Sequence, residues 1–275
     1  MSKIAVIGIV GESVFLSVDA FGKTGETAVA TGFHRELGGK GFNQALAARR
    51  YGASVSFLGA ICRRDVPTFT AEAKALGITP FFAPKEERSP YAVITTDKEG
   101  DNRVLVYRGA TLAPEDVDAF AVEIASADLL LINNEVPESV NERAVALAKE
   151  KGVRVLLNPA PYRPLPPSFL SQIDLFTPNE HETAGLDAYE NQVITLGEKG
   201  CLIKPLSLAL PAVELAAAVD TTGAGDTFSG VLAACLAEGL DLRTACEKAS
   251  IASAIEVGRR YVINSIPTRE EIEKY

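Results

Sequence analysis

The chain has little that would tie it to a membrane, to nucleic acid or to a structural metal. No apolar run approaches the ~20 residues that span a bilayer. The start, Met1-Ser2-Lys3-Ile4, runs into a strand rather than into a secretory leader. Positive charge is in deficit: 27 Lys and Arg stand against 36 Asp and Glu, a formal net charge of −9 at pH 7. That balance argues against broad binding to nucleic acid or to anionic membrane surfaces. It leaves room for a nucleotide, because glycine loops, helix starts and a bound cation supply positive potential locally. The 4 cysteines, Cys62, Cys201, Cys235 and Cys246, lack metal-type spacing and lie in apolar contexts, as expected of reduced packing residues in a cytoplasmic protein. Repeats, low-complexity tracts and linkers are missing, and Pro159–Pro167 is only a short proline-rich loop. What remains is 275 residues of ordinary apolar content, ample for one large α/β core.

Apolar runs at Ile4–Ile7, Val55–Leu58, Leu129–Ile132, Val153–Leu157, Leu175–Phe176 and Val193–Leu196 alternate with helical patterns near 42–51, 67–76, 114–125, 139–151 and 226–238. Continuous rather than alternating apolar strands, each followed by a helix, predict a parallel sheet covered on both faces. Ligands of such folds bind beyond the carboxyl ends of the strands. The stretches 12–36 and 81–108 break the pattern. In the second, Tyr91–Thr96 and Asn102–Val106 flank Asp97-Lys98-Glu99-Gly100 and read as a hairpin.

Two glycine loops carry the chemistry. Asp220-Thr221-Thr222-Gly223-Ala224-Gly225-Asp226 precedes Thr227-Phe228-Ser229-Gly230 and an apolar segment of helical period. Amides at a helix start are unpaired and partly positive, so they suit an anion, and Gly223, Ala224 and Gly225 leave the approach nearly bare. Asp226 puts a carboxylate where that anion should sit. The conflict resolves if Asp226 is a base while the amides stabilise a transferred phosphoryl group; the other reading is a capped helix whose dipole Asp226 complements. Upstream, Gly38-Gly39-Lys40-Gly41-Phe42-Asn43-Gln44-Ala45 opens another helix. Gly41 stands where a phosphate-binding P-loop needs Ser or Thr, and neither loop fits G-x-G-x-x-G. Bare backbone with one lysine and one amide suits a small hydroxylated ligand.

Both loops, in this order and spacing, resemble the two signatures of the ribokinase-like (PfkB-type) carbohydrate kinases. Gly25-Glu26-Thr27, Glu135-Val136-Pro137, Asn158-Pro159-Ala160-Pro161, Thr177-Pro178-Asn179-Glu180-His181-Glu182 and Thr195-Leu196-Gly197-Glu198-Lys199-Gly200 agree, so the likeness runs from Ile4 to about Ile272. The resemblance implies a single domain over 1–275: a three-layer α/β/α core with a mostly parallel sheet, plus a small β-sheet lid from roughly 12–36 and 81–108 that covers the sugar and often makes a dimer contact. It implies ATP-dependent phosphorylation of a sugar hydroxyl, with Asp226 as general base and Gly223, Ala224 and Gly225 as anion hole. Gly39, Lys40, Gly41, Asn43 and Glu135 would bind the sugar, and Asn179, Thr195 and Gly197 would border ATP. Asn179 and Glu182 would organise Mg²⁺ through water; a capped turn with an exposed acid is the plainer reading of that pair. Asp220 and Thr222 fall where potassium-activated members hold a monovalent cation, unless Asp220 only caps the turn. His181 is expected in solvent, and Lys199 either reaches phosphate or is a turn charge.

The pattern also departs from the family. Where an Asn and a sugar-binding Asp usually follow the first strand, this chain has Gly11 and Ser13, and Glu12 would point to the opposite face. Cys62-Arg63-Arg64-Asp65-Val66-Pro67 lacks the usual glycines; Arg63 and Arg64 either meet an anionic substituent or face solvent. Between Glu182 and Val193 there is room for one helix, and Tyr261 replaces a common glycine, which would reshape the adenine pocket. These departures put ribose itself in question. A nucleoside kinase and a non-catalytic sugar or nucleotide sensor stand as alternatives.

Overall fold

A strand that is apolar at every position needs cover on both faces. In β1 (Lys3–Ile7), Ile4 and Val6 enter one apolar cluster while Ala5 and Ile7 enter another on the opposite side. The structure, a computed structural model, describes residues 1–99, 101–215 and 217–275. After β1 come β2 (Gly11–Val18), β3 (Ala30–Gly38), α1 (Lys40–Tyr51), β4 (Ser54–Cys62), α2 (Val66–Ala75) and β5 (Thr79–Lys85). β6 (Tyr91–Thr96) and β7 (Asn102–Tyr107) lead to α3 (Pro114–Asp118), α4 (Ala121–Ala125), β8 (Leu129–Asn133), α5 (Glu138–Glu150), β9 (Arg154–Asn158), α6 (Pro167–Leu170) and β10 (Leu175–Phe176). The remainder holds β11 (Val193–Thr195), β12 (Cys201–Ile203), β13 (Leu208–Leu210), α7 (Ala224–Ala237), α8 (Leu242–Val257) and α9 (Arg269–Ile272).

The main sheet has the order β10-β9-β8-β1-β4-β5, and its pairings are parallel. One face packs on α1, α2, α7, α8 and α9 through Phe42, Leu46, Phe69, Val231, Ala249 and Ile272. The other packs on α3, α4, α5 and α6 through Val117, Ile124, Val140 and Phe169. This is the three-layer architecture the sequence implies. The chain builds outward from β1 in both directions, so the strand order reverses between β1 and β8, and a crevice opens beyond their carboxyl ends. A separate four-stranded sheet, β3-β2-β6-β7, stands beside that crevice.

Several expectations need correction. The segment 81–108 does not belong wholly to the small sheet: β5 pairs in parallel with β4 from Ser56↔Thr79 to Cys62↔Lys85 as the edge of the main sheet. β5 is half-buried along most of its length and two prolines interrupt its apolar residues, so it lacks the continuous apolar run of the inner strands. Val193–Leu196 is not another full strand of that sheet. β11 heads a three-stranded antiparallel sheet with β12 and β13, joined to the β10 region by the bridges Phe176↔Gln192 and Asn179↔Thr195. The pattern at 114–125 is two short helices, not one. No helix forms between Glu182 and Val193; Leu186 and Tyr189 donate to the carbonyls of Thr183 and Leu186 in successive tight turns, and Gly185 takes φ +80. The hairpin over β6 and β7 is present, although Gly100 of its turn lies outside the described residues.

Candidate active site

Gly223 opens α7 in the left-handed region at φ +91, which turns the chain sharply enough to aim the first amides of the helix outward. Thr227 N–H reaches the Gly223 carbonyl at 2.8 Å and Ala224 N–H reaches Thr221 at 3.4 Å. The amides of Gly225 and Asp226 have no acceptor among the described residues. A Cβ on Gly225 would meet nothing within 4 Å, so the space in front of these donors is open. Ala224, between the glycines, is half-buried.

Asp226 lies on the first turn of α7 and is only 5% exposed. Two amides from α1 hold its carboxylate: Asn43 Nδ2 donates to Oδ2 and Gln44 Nε2 to Oδ1, each at 3.1 Å. Gln44 Nε2 also donates to Asn158 Oδ1 at 3.0 Å, and Asn158 Nδ2 donates to the Thr177 carbonyl at 2.7 Å. The acid is thereby tied to the ends of β9 and β10. This reach depends on Gly230, where a Cβ would sit 2.3 Å from the Gln44 carbonyl and 2.6 Å from the Ala47 side chain. No larger residue would let α1 and α7 cross so closely.

The same crossing brings Lys40 and Gly41 to the ends of β1 and β8. Gly8 and Gly41 pack backbone to backbone; a Cβ on either would be 2.6 Å from the other's Cα. Gly39 caps α1, and Gly41 N–H points at Glu135 Oε2, at 3.4 Å. Asn133 Oδ1 in turn accepts from Glu135 N–H at 3.0 Å. Glu135 is pushed up to about 7, by burial first and then by Asp226, with Lys40 and the Gly41 amide opposing. Lys40 is raised, mainly by the charge of Asp226 and further by Glu135 and Glu182. One ammonium therefore serves three carboxylates around the crevice.

Asn179 and Glu182 form a closed local pair. Asn179 Oδ1 accepts from the amides of His181 and Glu182 at 2.9 and 3.0 Å, and Glu182 Oε2 accepts from Asn179 N–H at 3.0 Å. The capped turn is thus present without a helix behind it, yet Glu182 still acts on Lys40. No group of three or more His, Cys, Asp or Glu among the described residues could cage a metal. Thr195 follows through its backbone bond to Pro178 at 2.9 Å, with exposed Gly197 beyond it. His181 and Lys199 are exposed. Arg63 and Arg64 are solvent-facing and pair with Glu86 and Asp65.

On the small-sheet side, Gly11 is required by its neighbour: a Cβ there would lie 2.3 Å from the Pro90 carbonyl. Ser13 faces Glu36 across β2 and β3. Glu12 does point the other way and bonds Arg35 at 2.8 Å. Glu36, 7% exposed, accepts the amides of Val262 and Ile263 at 3.0 and 3.3 Å and meets His34 Nε2 at 3.0 Å. Tyr261 sits at φ +66 and stacks on His34 at 3.8 Å with its edge toward Phe15. Its side chain therefore joins the C-terminal segment to the small sheet. Asp220 Oδ1 accepts from Thr222 N–H at 2.9 Å and Oδ2 from Tyr261 N–H at 3.3 Å, so it does cap its turn.

Gln44, Asn158, Glu36 and Glu256 were not singled out from sequence as site residues. Gln44 stands inside the glycine signature, and the only sequence signal at Asn158 is the family resemblance of its segment. Glu256 had a signal: it continues the spacing of Ala245, Ala249 and Ala252, an acid on a face of small buried residues.

A sequence model for the pfkB family carbohydrate kinases matches residues 1–269. The ribokinase of Haemophilus influenzae is 34% identical over 295 residues, covering 98% of this chain and 96% of that protein. A bifunctional ribokinase/ribose-5-phosphate isomerase A of Fructilactobacillus sanfranciscensis is 36% identical over 302 residues; the alignment covers 99% of this chain but only 56% of that longer protein. Among solved structures, the ribokinase of Thermotoga maritima superposes with a TM-score of 0.88 at 31% identity, over 100% of this chain and 99% of that one. A ribokinase of Arabidopsis thaliana complexed with ribose and ATP gives 0.86 at 25% identity, over 100% and 98%.

Proposed function

The chain belongs to the pfkB family of carbohydrate kinases and is an ATP-dependent phosphotransferase acting on a hydroxyl of a sugar or sugar-like molecule; on that premise we propose that the acceptor is a pentose-sized sugar deprotonated at Asp226. The observation that carries this reading is the buried Asp226 carboxylate, fixed by Asn43 and Gln44 beside the open amides of α7. The acceptor hydroxyl gives its proton to Asp226 as its oxygen takes the γ-phosphoryl group and ADP leaves. Of the 223–226 amides, those of Gly225 and Asp226 have no acceptor among the described residues and are free to offset charge on the group in transfer. Lys40 balances Asp226 and Glu135 while the acceptor is aligned. Gly39, Gly41, Asn43 and Glu135 offer donors and acceptors to its other hydroxyls; Asn43 Oδ1 is buried without a partner and suits that task.

ATP supplies the phosphoryl group, bordered by Asn179, Thr195 and Gly197. Mg²⁺ fits this donor set only through water, since Asn179 and Glu182 already spend oxygens on backbone amides. Glu182 keeps its other oxygen for those waters, and the ion would neutralise phosphate charge there. A monovalent cation is read at Asp220 and Thr222 behind the anion hole; the Glu256 carboxylate, buried without a hydrogen-bond partner, feels the charge of Asp220 there.

The small sheet is read as the lid, over 11–38 and 91–107. On its outer face Phe33, Leu105 and Tyr107 are 72%, 75% and 54% exposed, which supports a homodimer formed there. Among the described residues no helix is long and apolar enough to cross a membrane. The four free, buried cysteines accord with a cytoplasmic setting.

A nucleoside acceptor would need extra room, but Gly11 opens none because Pro90 fills the place of its side chain. The sensor reading has no observation in its favour, since the arrangement around Asp226 is complete. Phosphorus NMR of reactions with ATP, Mg²⁺ and single pentoses tests the proposal. A sugar phosphate monoester is expected; esterification of nucleosides alone would overturn the pentose assignment.

A further inference from the structure

The segment between α8 and α9 belongs to no helix or sheet, yet it grips the turn that opens α7 at two points. Val262 Cγ1 is 2.7 Å from the place a Cβ on Gly223 would take, so this buried side chain fills the space the glycine leaves. The N–H of Tyr261 donates to Asp220 Oδ2 at 3.3 Å, and Asp220 Oδ1 accepts from Thr222 N–H. The anchor of the segment lies far upstream. Glu36 of β3 accepts from Val262 N–H through Oε1 at 3.0 Å and from Ile263 N–H through Oε2 at 3.3 Å. Neither amide has a backbone acceptor among the described residues. His34, two residues along and on the same face of β3, meets Oε2 at 3.0 Å and stacks on the Tyr261 ring.

Two buried amides in an irregular segment need acceptors, and a carboxylate supplies both with bonds stronger than neutral ones. Ser13, directly across from Glu36 on β2, sets no like charge against it. Just beyond Glu36, β3 ends at Gly38 and the chain enters the Gly39–Gly41 loop on the acceptor side. One side chain thereby connects the small sheet, the loop that opens α1 and the turn that opens α7. We infer that Glu36 is a positioning residue for phosphoryl transfer: it fixes Val262 and Ile263, and through Val262 it fixes the Gly223 turn. The inference rests on reading 223–225 as the anion hole. Glu36 touches neither acceptor nor ATP in this role. Its effect reaches the transferred group through Val262, Gly223 and the outward amides of Gly225 and Asp226. That task differs from the sugar binding of the acid whose place Ser13 takes.

Wild type, Glu36→Gln and Glu36→Ala test it in two ways. Without ligands, hydrogen exchange read by mass spectrometry should be about tenfold faster over 219–227 and 258–266 in Glu36→Ala. Glu36→Gln, which keeps one acceptor oxygen, should change less, and β8 and α5 should keep wild-type protection in both. With ATP, Mg²⁺ and the sugar that wild type phosphorylates fastest, kcat should fall about tenfold in Glu36→Gln and about a hundredfold in Glu36→Ala. Both KM values should stay within about twofold of wild type. Unchanged exchange over 219–227 overturns the inference, and so does exchange raised equally throughout, the mark of a purely structural role. A kcat equal to wild type overturns it too, as does a rise in the sugar KM alone, which would put Glu36 in the acceptor pocket. If Glu36→Ala does not fold, the same readings on Glu36→Gln decide. A wild type inactive with every sugar is a failure of the kinase reading instead, and exchange over 219–227 then decides this inference alone.

Discussion

Gln44 and Asp226 lie 182 residues apart in sequence and meet through a hydrogen bond of 3.1 Å. Gln44 is fully buried and shares the same Nε2 with Asn158, so a network spanning α1, α7 and the end of β9 sets the orientation of the acid. Asn43 holds the other carboxylate oxygen. With both oxygens occupied by amides, Asp226 presents its remaining lone pairs in fixed directions, which is what a base acting on a bound hydroxyl needs.

Gln44→Ala should therefore lower kcat by about 10–100-fold while KM for ATP changes little. Asn43→Ala should lower kcat comparably and also raise KM for the acceptor, since its buried Oδ1 is free to accept from that ligand. Steady-state kinetics with both substrates varied checks the split. A kcat unchanged in Gln44→Ala would remove the network from the account.

Gly230→Ala adds a methyl where the Gln44 carbonyl is 2.3 Å away. Forcing α1 and α7 apart should cost about 1–3 kcal/mol. That corresponds to a melting temperature lower by about 3–8 °C, and kcat should fall because Gln44 and Asn43 move with α1. Calorimetry and activity measured on the same preparation would show both effects.

How far the site could be read in advance depended on whether its residues are local in sequence. The α7 loop and the α1 loop announce themselves through glycines next to Asp226 and Lys40, and both helices start at those loops. The core strands were legible because β1, β4, β8 and β9 are apolar almost throughout. β5 was not, since an edge strand with half-buried positions carries a mixed pattern. Tyr261 was expected to alter the adenine pocket, but its ring stacks on His34, a contact between segments no local pattern connects. Gln44 and Glu256 have the same difficulty: their meaning lies in tertiary partners.

Glu135 carries a pH signature. Its carboxyl is raised to about 7 in the folded protein, well above the ordinary carboxylate range, so the native state keeps a proton that the unfolded chain releases. Its contribution to stability is thus lost as pH rises from the unfolded value through the folded one. The stability of wild type relative to Glu135→Gln should fall by about 3 kcal/mol between roughly pH 4.5 and pH 8. Urea denaturation of both proteins at the two ends of that window measures it; a constant difference would contradict the assignment.

The outer face of the small sheet predicts self-association. Leu105→Lys, at a position 75% exposed on an apolar face, should convert a dimer to a monomer in sedimentation equilibrium without unfolding the core. A monomeric wild type would leave that face without the proposed partner.

The most direct test of the central claim is acceptor-dependent ADP release from ATP and Mg²⁺ by wild type and by Asp226→Asn. With a panel of pentoses, hexoses, polyols and nucleosides, wild type should turn over with a sugar. Asp226→Asn should lose about 100–10,000-fold of that rate while still binding ATP. Full turnover in Asp226→Asn would contradict the role of Asp226 as the base, and silence of wild type with every sugar, while ATP binds, would contradict the kinase assignment for this site.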